Sequence, residues 1–145
     1  MKAVIQRVGR TALSVDNKLI SEISSGLAVY LGIKAGDTKE QAVAMAKRIA
    51  ALRIFEDENG KMNLSVKDTG GEILLISQFT LYGDCSHGNR PSFTEAECPE
   101  SAEPLYEFVA DLLRGYGISV KQGVFGADMK IEQYNDGPVT IIYEV

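Results

Sequence analysis

The sequence predicts an α+β domain with mostly antiparallel strands and two main helices. Apolar residues recur at intervals of three and four in two windows, near residues 39–53 and 101–114, and each window is long enough for an amphipathic helix. Most other apolar residues fall in short runs, which are typical of strands. Turn-forming pairs such as Asp16-Asn17 and Asn59-Gly60 separate neighbouring runs, and such pairs join antiparallel strands.

The length and composition of the chain are those of an ordinary globular domain. Its 145 residues match the usual size of one domain, so we expect residues 1–145 to fold as a single unit. Hydrophobic residues make up 45% of the chain, and no apolar run approaches the roughly 20 residues of a membrane span. Charged residues interrupt the first apolar stretch, from Met1 to Arg7, so we expect no signal peptide and no membrane association.

Charge and cysteine content narrow the function classes further. The net charge of −5 argues against a protein that coats nucleic acid through its phosphates, because such proteins cluster Lys and Arg. That charge is compatible with binding only one end of an RNA. The two cysteines, Cys85 and Cys98, do not form a disulfide framework, and we therefore expect a cytoplasmic protein.

The first half of the chain is predicted to place one helix among several strands. The helix begins after Thr38, because Thr38 and Gln41 have the spacing of a capping box. The first strand is expected to end in a turn at Gly9-Arg10, and Asp16-Asn17 forms the turn of a hairpin. The predicted strands are residues 2–8, 12–15, 18–23, 26–33, 54–55 and 62–66.

A central stretch changes abruptly from apolar to polar. Residues 73–76 are four large aliphatic side chains, as in a strand buried on both faces, and Ser77, Gln78 and Thr80 follow. A buried Gln lowers stability unless its amide finds hydrogen-bond partners. Two interpretations follow: the end of a strand that runs into a turn at residues 83–84, or a reactive site at the exit of a rigid strand.

A long irregular segment, residues 85–99, contains the sole histidine, His87. A zinc site formed by Cys85, His87 and Cys98 lacks a fourth ligand and a familiar spacing, so we do not favour it. A catalytic triad built on His87 lacks an identifiable carboxylate to orient the ring, and we set it aside as well.

The last third of the chain is predicted to hold the second helix and three strands. The helix is expected to start at Ser101, with Pro104 in its first turn. The glycine-rich segment 122–129 carries Phe125 and Met129, which by default fill the core. The predicted strands are residues 118–121, 130–134 and 139–145, with residues 135–138 as the turn between the last two. The isomer of the Gly137-Pro138 bond is not determined by the sequence.

Four segments together resemble the D-aminoacyl-tRNA deacylase family, also called D-tyrosyl-tRNA deacylase, and agreement with that family extends along the whole chain. Several motifs in the right order are far more specific than any one alone. The four segments are Ser77-Gln78-Phe79-Thr80-Leu81, Arg90-Pro91-Ser92-Phe93, Phe125-Gly126-Ala127-Asp128-Met129 and Asn135-Asp136-Gly137-Pro138-Val139-Thr140.

The resemblance implies a three-layer β/β/α domain, with strands in two layers and both helices on one face. It implies a homodimer without a metal or other cofactor that hydrolyses the ester between a D-amino acid and the terminal adenosine of tRNA. In this family the Gly-Pro peptide, here Gly137-Pro138, is cis and enters the pocket of the other subunit. Its carbonyls hold the substrate's amino group, so an L side chain is excluded by rigid backbone.

The resemblance also assigns roles to individual residues. Ser77, Gln78, Phe79 and Thr80 would line the catalytic site, with backbone N–H groups near Phe79 and Thr80 as donors to the developing oxyanion. We do not expect Thr80 to be a nucleophile, because no base is apparent to activate it. Two further groups complete the substrate-binding set: Phe125 and Met129, which would pack against the terminal adenine, and Arg7, which would support the loop formed by Gly137 and Pro138.

Two alternatives to this function remain open at the level of sequence. One is a related editing domain that removes a mischarged L-amino acid, since similar folds serve in synthetase proofreading. The other is a binding module for RNA ends or metabolites that has kept the pocket and lost the chemistry. Exclusion of the L side chain further predicts that glycyl-tRNA is a substrate, because glycine has no side chain to exclude.

Overall fold

The computed structural model describes all 145 residues, and its eight strands and two α-helices confirm the predicted α+β class. A short 3₁₀ turn, Phe79–Tyr82, follows the sixth strand. The elements in chain order are β1 (Lys2–Val15), β2 (Lys18–Ile23), β3 (Gly26–Gly32), α1 (Lys39–Ala51), β4 (Arg53–Glu56), β5 (Met62–Ser65), β6 (Glu72–Ser77), α2 (Pro99–Gly115), β7 (Ser119–Gln122) and β8 (Lys130–Glu144).

The main sheet has six strands in two layers, with both helices against one of them. Its path is β2-β1-β3-β6-β7, and β8 pairs with β1. Pairing is mostly antiparallel, with β3–β6 and β6–β7 as the parallel pairs. Alternate side chains of the strands face a large core beneath the helices, for example Leu27 and Leu75, while others, such as Ala28 and Leu74, face a second core between the strand layers.

The predicted turn at Gly9-Arg10 is wrong, because β1 continues through it as a single strand. The first half of β1 pairs with β3 and the second half with β2, while β8 follows it on both sides of this point. The pairing with β8 shifts register between Val8 and Thr11. The strand therefore bends from one layer into the other without reversing, and the glycine marks the bend.

The helices and short hairpins largely follow their local sequence signals. The Thr38 side chain accepts from the N–H of Glu40 and the Thr38 N–H donates to Gln41, so the capping box is confirmed. Helix α2 begins at Pro99, two residues before the predicted start, and Pro104 therefore lies inside the helix and not in its first turn. Neither helix combines the length and apolar character needed to cross a membrane.

The segment 135–138 does not reverse the chain, contrary to its interpretation as a turn. Residues 130–144 form one strand, β8, and both halves of it pair with β1. Gln6 lies opposite Thr140 and Val8 lies opposite Asn135, so only Arg7 faces the four residues in between. The extra residues of β8 leave the ladder as a wide bulge that carries Gly137 and Pro138.

Candidate active site

A cavity of about 820 Å³ opens at the carboxyl end of β6, beside the helix layer. Of its 18 lining residues, 12 are hydrophobic, which suits a ligand with a large flat apolar part. Polar wall residues come from the end of β6, where Ser77 and Gln78 precede Phe79, and also include Glu97 and Asp128. The predicted reactive site at the exit of this strand therefore coincides with a real cavity.

The backbone turns sharply where β6 ends, and β3 holds that turn in place. The Gln78 N–H donates to the carbonyl of Leu31 at 2.9 Å, which anchors the turn to the end of β3. A Cβ at Gly32 would lie 3.0 Å from the Gln78 carbonyl oxygen, so this close approach favours glycine. Neither the Phe79 N–H nor the Thr80 N–H donates to a side chain or to a backbone carbonyl in a turn or loop. They begin a helical turn, where the first N–H groups have no partner within the helix.

The Thr80 hydroxyl is paired with an amide and not with a base. The Gln78 Nε2 donates to Thr80 Oγ1, and Gln78 is only half-buried, so its amide does not carry the cost expected of a fully buried one. No imidazole or carboxylate hydrogen-bonds to this hydroxyl, and Thr80 itself lies beside the cavity and not in its wall. The arrangement lacks the base that a threonine nucleophile needs.

Another part of the cavity wall is aromatic and apolar. Phe125 and Met129 both line the cavity, and Tyr106 packs against Phe125 with 5.8 Å between the ring centroids. The Tyr106 hydroxyl donates to the Leu75 carbonyl at 2.7 Å, and burial raises its pKa, so it stays protonated as a donor. Phe125 and Met129 also pack against the two cores, so the default expectation for them holds in part. The sequence did not indicate a site role for Tyr106, because Tyr106 lies on the apolar face of α2, whose residues are expected to fill the core.

The segment predicted to be irregular borders the mouth of the cavity. Asp84 and Ser92 exchange two backbone hydrogen bonds of 2.8 Å, which close a loop that exposes Cys85 and His87. Beyond that loop, Phe93 lines the cavity and meets Phe79 edge to face, with 5.2 Å between the ring centroids. The Arg90-Pro91-Ser92-Phe93 motif had signalled this region, although no role for Phe93 followed from the sequence.

Glu97 is a second wall residue that the sequence did not single out. Its carboxylate accepts from the N–H of Gly36 at 3.0 Å and from the N–H of Cys98 at 2.9 Å. These two hydrogen bonds favour the charged form and lower the pKa of Glu97, with the bond from Gly36 as the larger cause. The carboxylate thus joins the loop before α1 to the start of α2 at the rim of the cavity.

The remaining predicted site residues lie together at the β8 bulge and do not line this cavity. Arg7 is buried, with its Nη1 donating to the Ile54 carbonyl at 2.8 Å and its Nε donating to the Asp136 carbonyl at 3.3 Å. The same Nε lies 3.1 Å from a carboxylate oxygen of Asp136. Gly137 and Pro138 are exposed, and the bond between them is cis.

Comparison with known proteins matches almost the whole chain to one family. The family model described as D-Tyr-tRNA(Tyr) deacylase matches residues 4–144. A D-aminoacyl-tRNA deacylase of Thermotoga petrophila is 51% identical over 144 residues, covering 99% of this chain and 97% of the relative. One of Halalkalibacterium halodurans is 54% identical over 144 residues, covering 99% of each chain.

Two solved structures superpose closely on this chain. One is described as c-Myc DNA Unwinding Element Binding Protein and has a TM-score of 0.92 with 44% identity, covering 100% of this chain and 99% of that chain. The other is described as a probable eukaryotic D-amino acid tRNA deacylase and has a TM-score of 0.87 with 17% identity, covering 99% and 98%. At that identity the second structure supports the fold alone.

Replacing Glu97 with Gln should destabilise the protein at neutral pH, and the destabilisation should shrink as the pH falls. The folded-state pKa of Glu97 is lowered, so its contribution is complete above about pH 5 and is lost as the pH falls through the folded value. Urea denaturation of the wild type and Glu97→Gln from pH 7 to about pH 3.5 measures this difference. Glu103→Gln, an exposed position on α2, is the control. A stability difference between wild type and Glu97→Gln that does not change with pH would show that the charged Glu97 carboxylate does not stabilise the fold in this way.

Proposed function

The chain belongs to the D-Tyr-tRNA(Tyr) deacylase family, and on this premise we propose how its site hydrolyses the ester bond of D-aminoacyl-tRNA. The chain is a D-aminoacyl-tRNA deacylase, a hydrolase that acts on ester bonds. The observation that carries the proposal is that the motif residues at the exit of β6 and in segment 125–129 line one cavity. We place the reaction in the cytoplasm, where charged tRNA is used, and assign it to residues 1–145 as one domain.

The substrate end that fits this cavity is the terminal adenosine with its attached amino acid. A cavity of about 820 Å³ falls in the range that encloses a small-molecule ligand. The adenine packs against Phe125 and Met129, since flat bases gain from contact with aromatic and apolar side chains. The ester carbonyl then lies at the end of β6, near Ser77 and Phe79.

Hydrolysis at this site proceeds by attack of water on the ester carbonyl. As the new carbon–oxygen bond forms, negative charge develops on the carbonyl oxygen, and the N–H groups of Phe79 and Thr80 stabilise it. The ester bond to the ribose then breaks, and the ribose oxygen takes up the proton that the water loses. The neighbouring hydroxyl of the ribose assists this proton transfer. The products are the free D-amino acid and the tRNA.

Selection of the D-isomer is assigned to the Gly137-Pro138 segment of a second copy. This segment is exposed on its own chain, is held from beneath by Arg7 and lies outside the cavity of that chain. In a homodimer it enters the cavity of the other subunit, where its two carbonyls accept from the substrate's α-amino group. An L side chain then meets rigid backbone, whereas a D side chain points to solvent, so the discrimination is by exclusion.

The exposed side chains of β8 support such a homodimer. Tyr134 and Ile142 are 75% and 66% exposed, and both lie on the strand that carries the bulge. Large exposed side chains on an edge strand are candidates for contact with another chain. Pairing of two copies along this edge covers them and brings each bulge toward its partner.

One relative's description raises binding to DNA as a second candidate function. The protein described as c-Myc DNA Unwinding Element Binding Protein is 44% identical to this chain. The net charge of −5 weighs against a duplex-binding role, because phosphate contacts require clustered cations. Contact with the acceptor end alone needs far fewer such cations, so deacylation remains the better-supported function.

Wild-type protein should release D-Tyr from D-Tyr-tRNA at least about 100-fold faster than L-Tyr from L-Tyr-tRNA, because only the L side chain meets the Gly-Pro wall. Glycyl-tRNA should also be hydrolysed, since glycine presents no side chain to exclude. Release of radiolabelled amino acid from each charged tRNA measures these rates.

Equal release of D-Tyr and L-Tyr would contradict the steric account. Selective release of L-Tyr would indicate an editing domain that removes L-amino acids. Tight binding of a 3′-aminoacyl-adenosine analogue without turnover would indicate a binding module.

Thr80→Ala should lower kcat by less than about tenfold, because the substitution removes the hydroxyl and leaves the backbone N–H in place. Single-turnover hydrolysis of D-Tyr-tRNA measures the effect, with Thr94→Ala as the control at an exposed position outside the cavity wall. A loss of about 10⁴-fold with intact folding and ligand binding would instead identify Thr80 as the nucleophile.

A further inference from the structure

The β8 bulge has two ends, and the strand ladder alone does not fix what lies between them. Asn135 pairs with Val8 at one end and Thr140 pairs with Gln6 at the other, while residues 136–139 have no partners in the ladder with β1. Arg7 hydrogen-bonds the bulge at Asp136, and its guanidinium also lies close to Gly137. The two ends of the bulge are the other points at which β1 can hold these residues.

A chain of side-chain hydrogen bonds crosses the base of the bulge and joins its two ends. The Gln133 Nε2 donates to Asn135 Oδ1 at 2.6 Å and to Gln6 Oε1 at 2.7 Å. The Gln6 Nε2 in turn donates to Thr140 Oγ1 at 3.2 Å. The Tyr30 hydroxyl, from β3, donates to Gln133 Oε1 at 2.8 Å. Three neighbouring strands thus meet at one amide.

The chemistry of this amide leaves little freedom in how it is oriented. Gln133 uses both of its N–H donors and its carbonyl oxygen, which an isosteric Glu cannot reproduce because a carboxylate donates nothing. Tyr30 is half-buried, and burial raises its pKa, so its hydroxyl remains protonated and able to donate. The donor from Tyr30 selects the carbonyl side of the amide and leaves the NH₂ side for Gln6 and Asn135.

We propose that Gln6 and Gln133 are positioning residues for chiral selection, because they fix the two ends of the bulge and so the place of the Gly137 and Pro138 carbonyls. The inference rests on the proposed function, in which those carbonyls exclude the L side chain. Without the amide chain, the ends of the bulge move independently and the wall yields to an L side chain. The D side chain points to solvent and the D-ester needs only the carbonyls that hold its α-amino group, so a small displacement of the bulge affects its hydrolysis much less.

If Gln6 and Gln133 served only to stabilise the sheet, their substitution would have a different effect from the one that a positioning role predicts. Strands β1 and β8 are paired by backbone on both sides of the bulge, so the sheet does not need these amides to form. Loss of a purely structural contact would lower thermal stability and leave the ratio of D to L hydrolysis unchanged. Loss of a positioning contact changes that ratio.

The test compares kcat/KM for D-Tyr-tRNA and L-Tyr-tRNA in the full-length dimer. Gln133→Leu removes all three hydrogen bonds, and we expect its D-to-L ratio to fall by about tenfold or more through faster L hydrolysis. Gln133→Glu keeps the shape but sets a carboxylate against two amide oxygens, and should lower the ratio similarly. Tyr30→Phe removes one hydrogen bond and should lower the ratio less. Glu132→Gln, the adjacent residue on the other face of β8, is the control and should leave the ratio unchanged.

An unchanged D-to-L ratio in all three variants would overturn the inference, whether or not their melting temperatures fall. Should Gln133→Leu fail to fold, Gln133→Glu and Tyr30→Phe still decide the question, because they alter fewer contacts. A wild-type protein that does not distinguish the two esters would overturn the proposed function together with this inference. If the wild type is selective and the variants keep its D-to-L ratio, only the inference is overturned.

Discussion

The pairing of β8 with β1 around Arg7 is the constraint on which the proposed site depends. Four residues of β8 face this single residue of β1, so part of β8 must leave the ladder. A buried guanidinium needs partners, and Arg7 finds them in the carbonyls of Ile54 and Asp136 and in the Asp136 carboxylate. The charge that would otherwise be costly to bury thereby holds the Asp136 side of the bulge that carries Gly137 and Pro138.

The cavity likewise presents rigid backbone groups in place of reactive side chains. The turn after β6 is anchored to Leu31 and packed against Gly32, which holds the N–H groups of Phe79 and Thr80 at a fixed place. No base lies next to Thr80, and the activated ester of an aminoacyl-tRNA does not require one. In the proposed mechanism, catalysis depends on positioned donors and a positioned water, and specificity depends on a positioned wall.

Local signals in the sequence predicted those parts of the molecule that local chemistry determines. The Thr38 capping box and the Asp16-Asn17 hairpin follow from short segments, whereas the site at residues 77–79 is one of two interpretations of its segment and is favoured only by the family resemblance. The turn composition of residues 135–138 suits a hairpin and a bulge equally, and only the pairing of both flanks with β1 distinguishes them. Glu97 escaped notice because its role comes from N–H groups brought together by the fold, which no sequence pattern records.

Donation of the Gly-Pro segment across the dimer is the central claim, and a heterodimer tests it most directly. One subunit carries Gly137→Ala, whose added Cβ would lie 2.8 Å from Val139 and distort the bulge. The other carries Phe125→Ala with Met129→Ala, which removes the adenine wall. Each homodimer should be inactive, whereas the purified heterodimer should hydrolyse D-Tyr-tRNA at about half the wild-type rate, because one of its two sites is complete. A heterodimer as inactive as both parents would contradict donation between subunits.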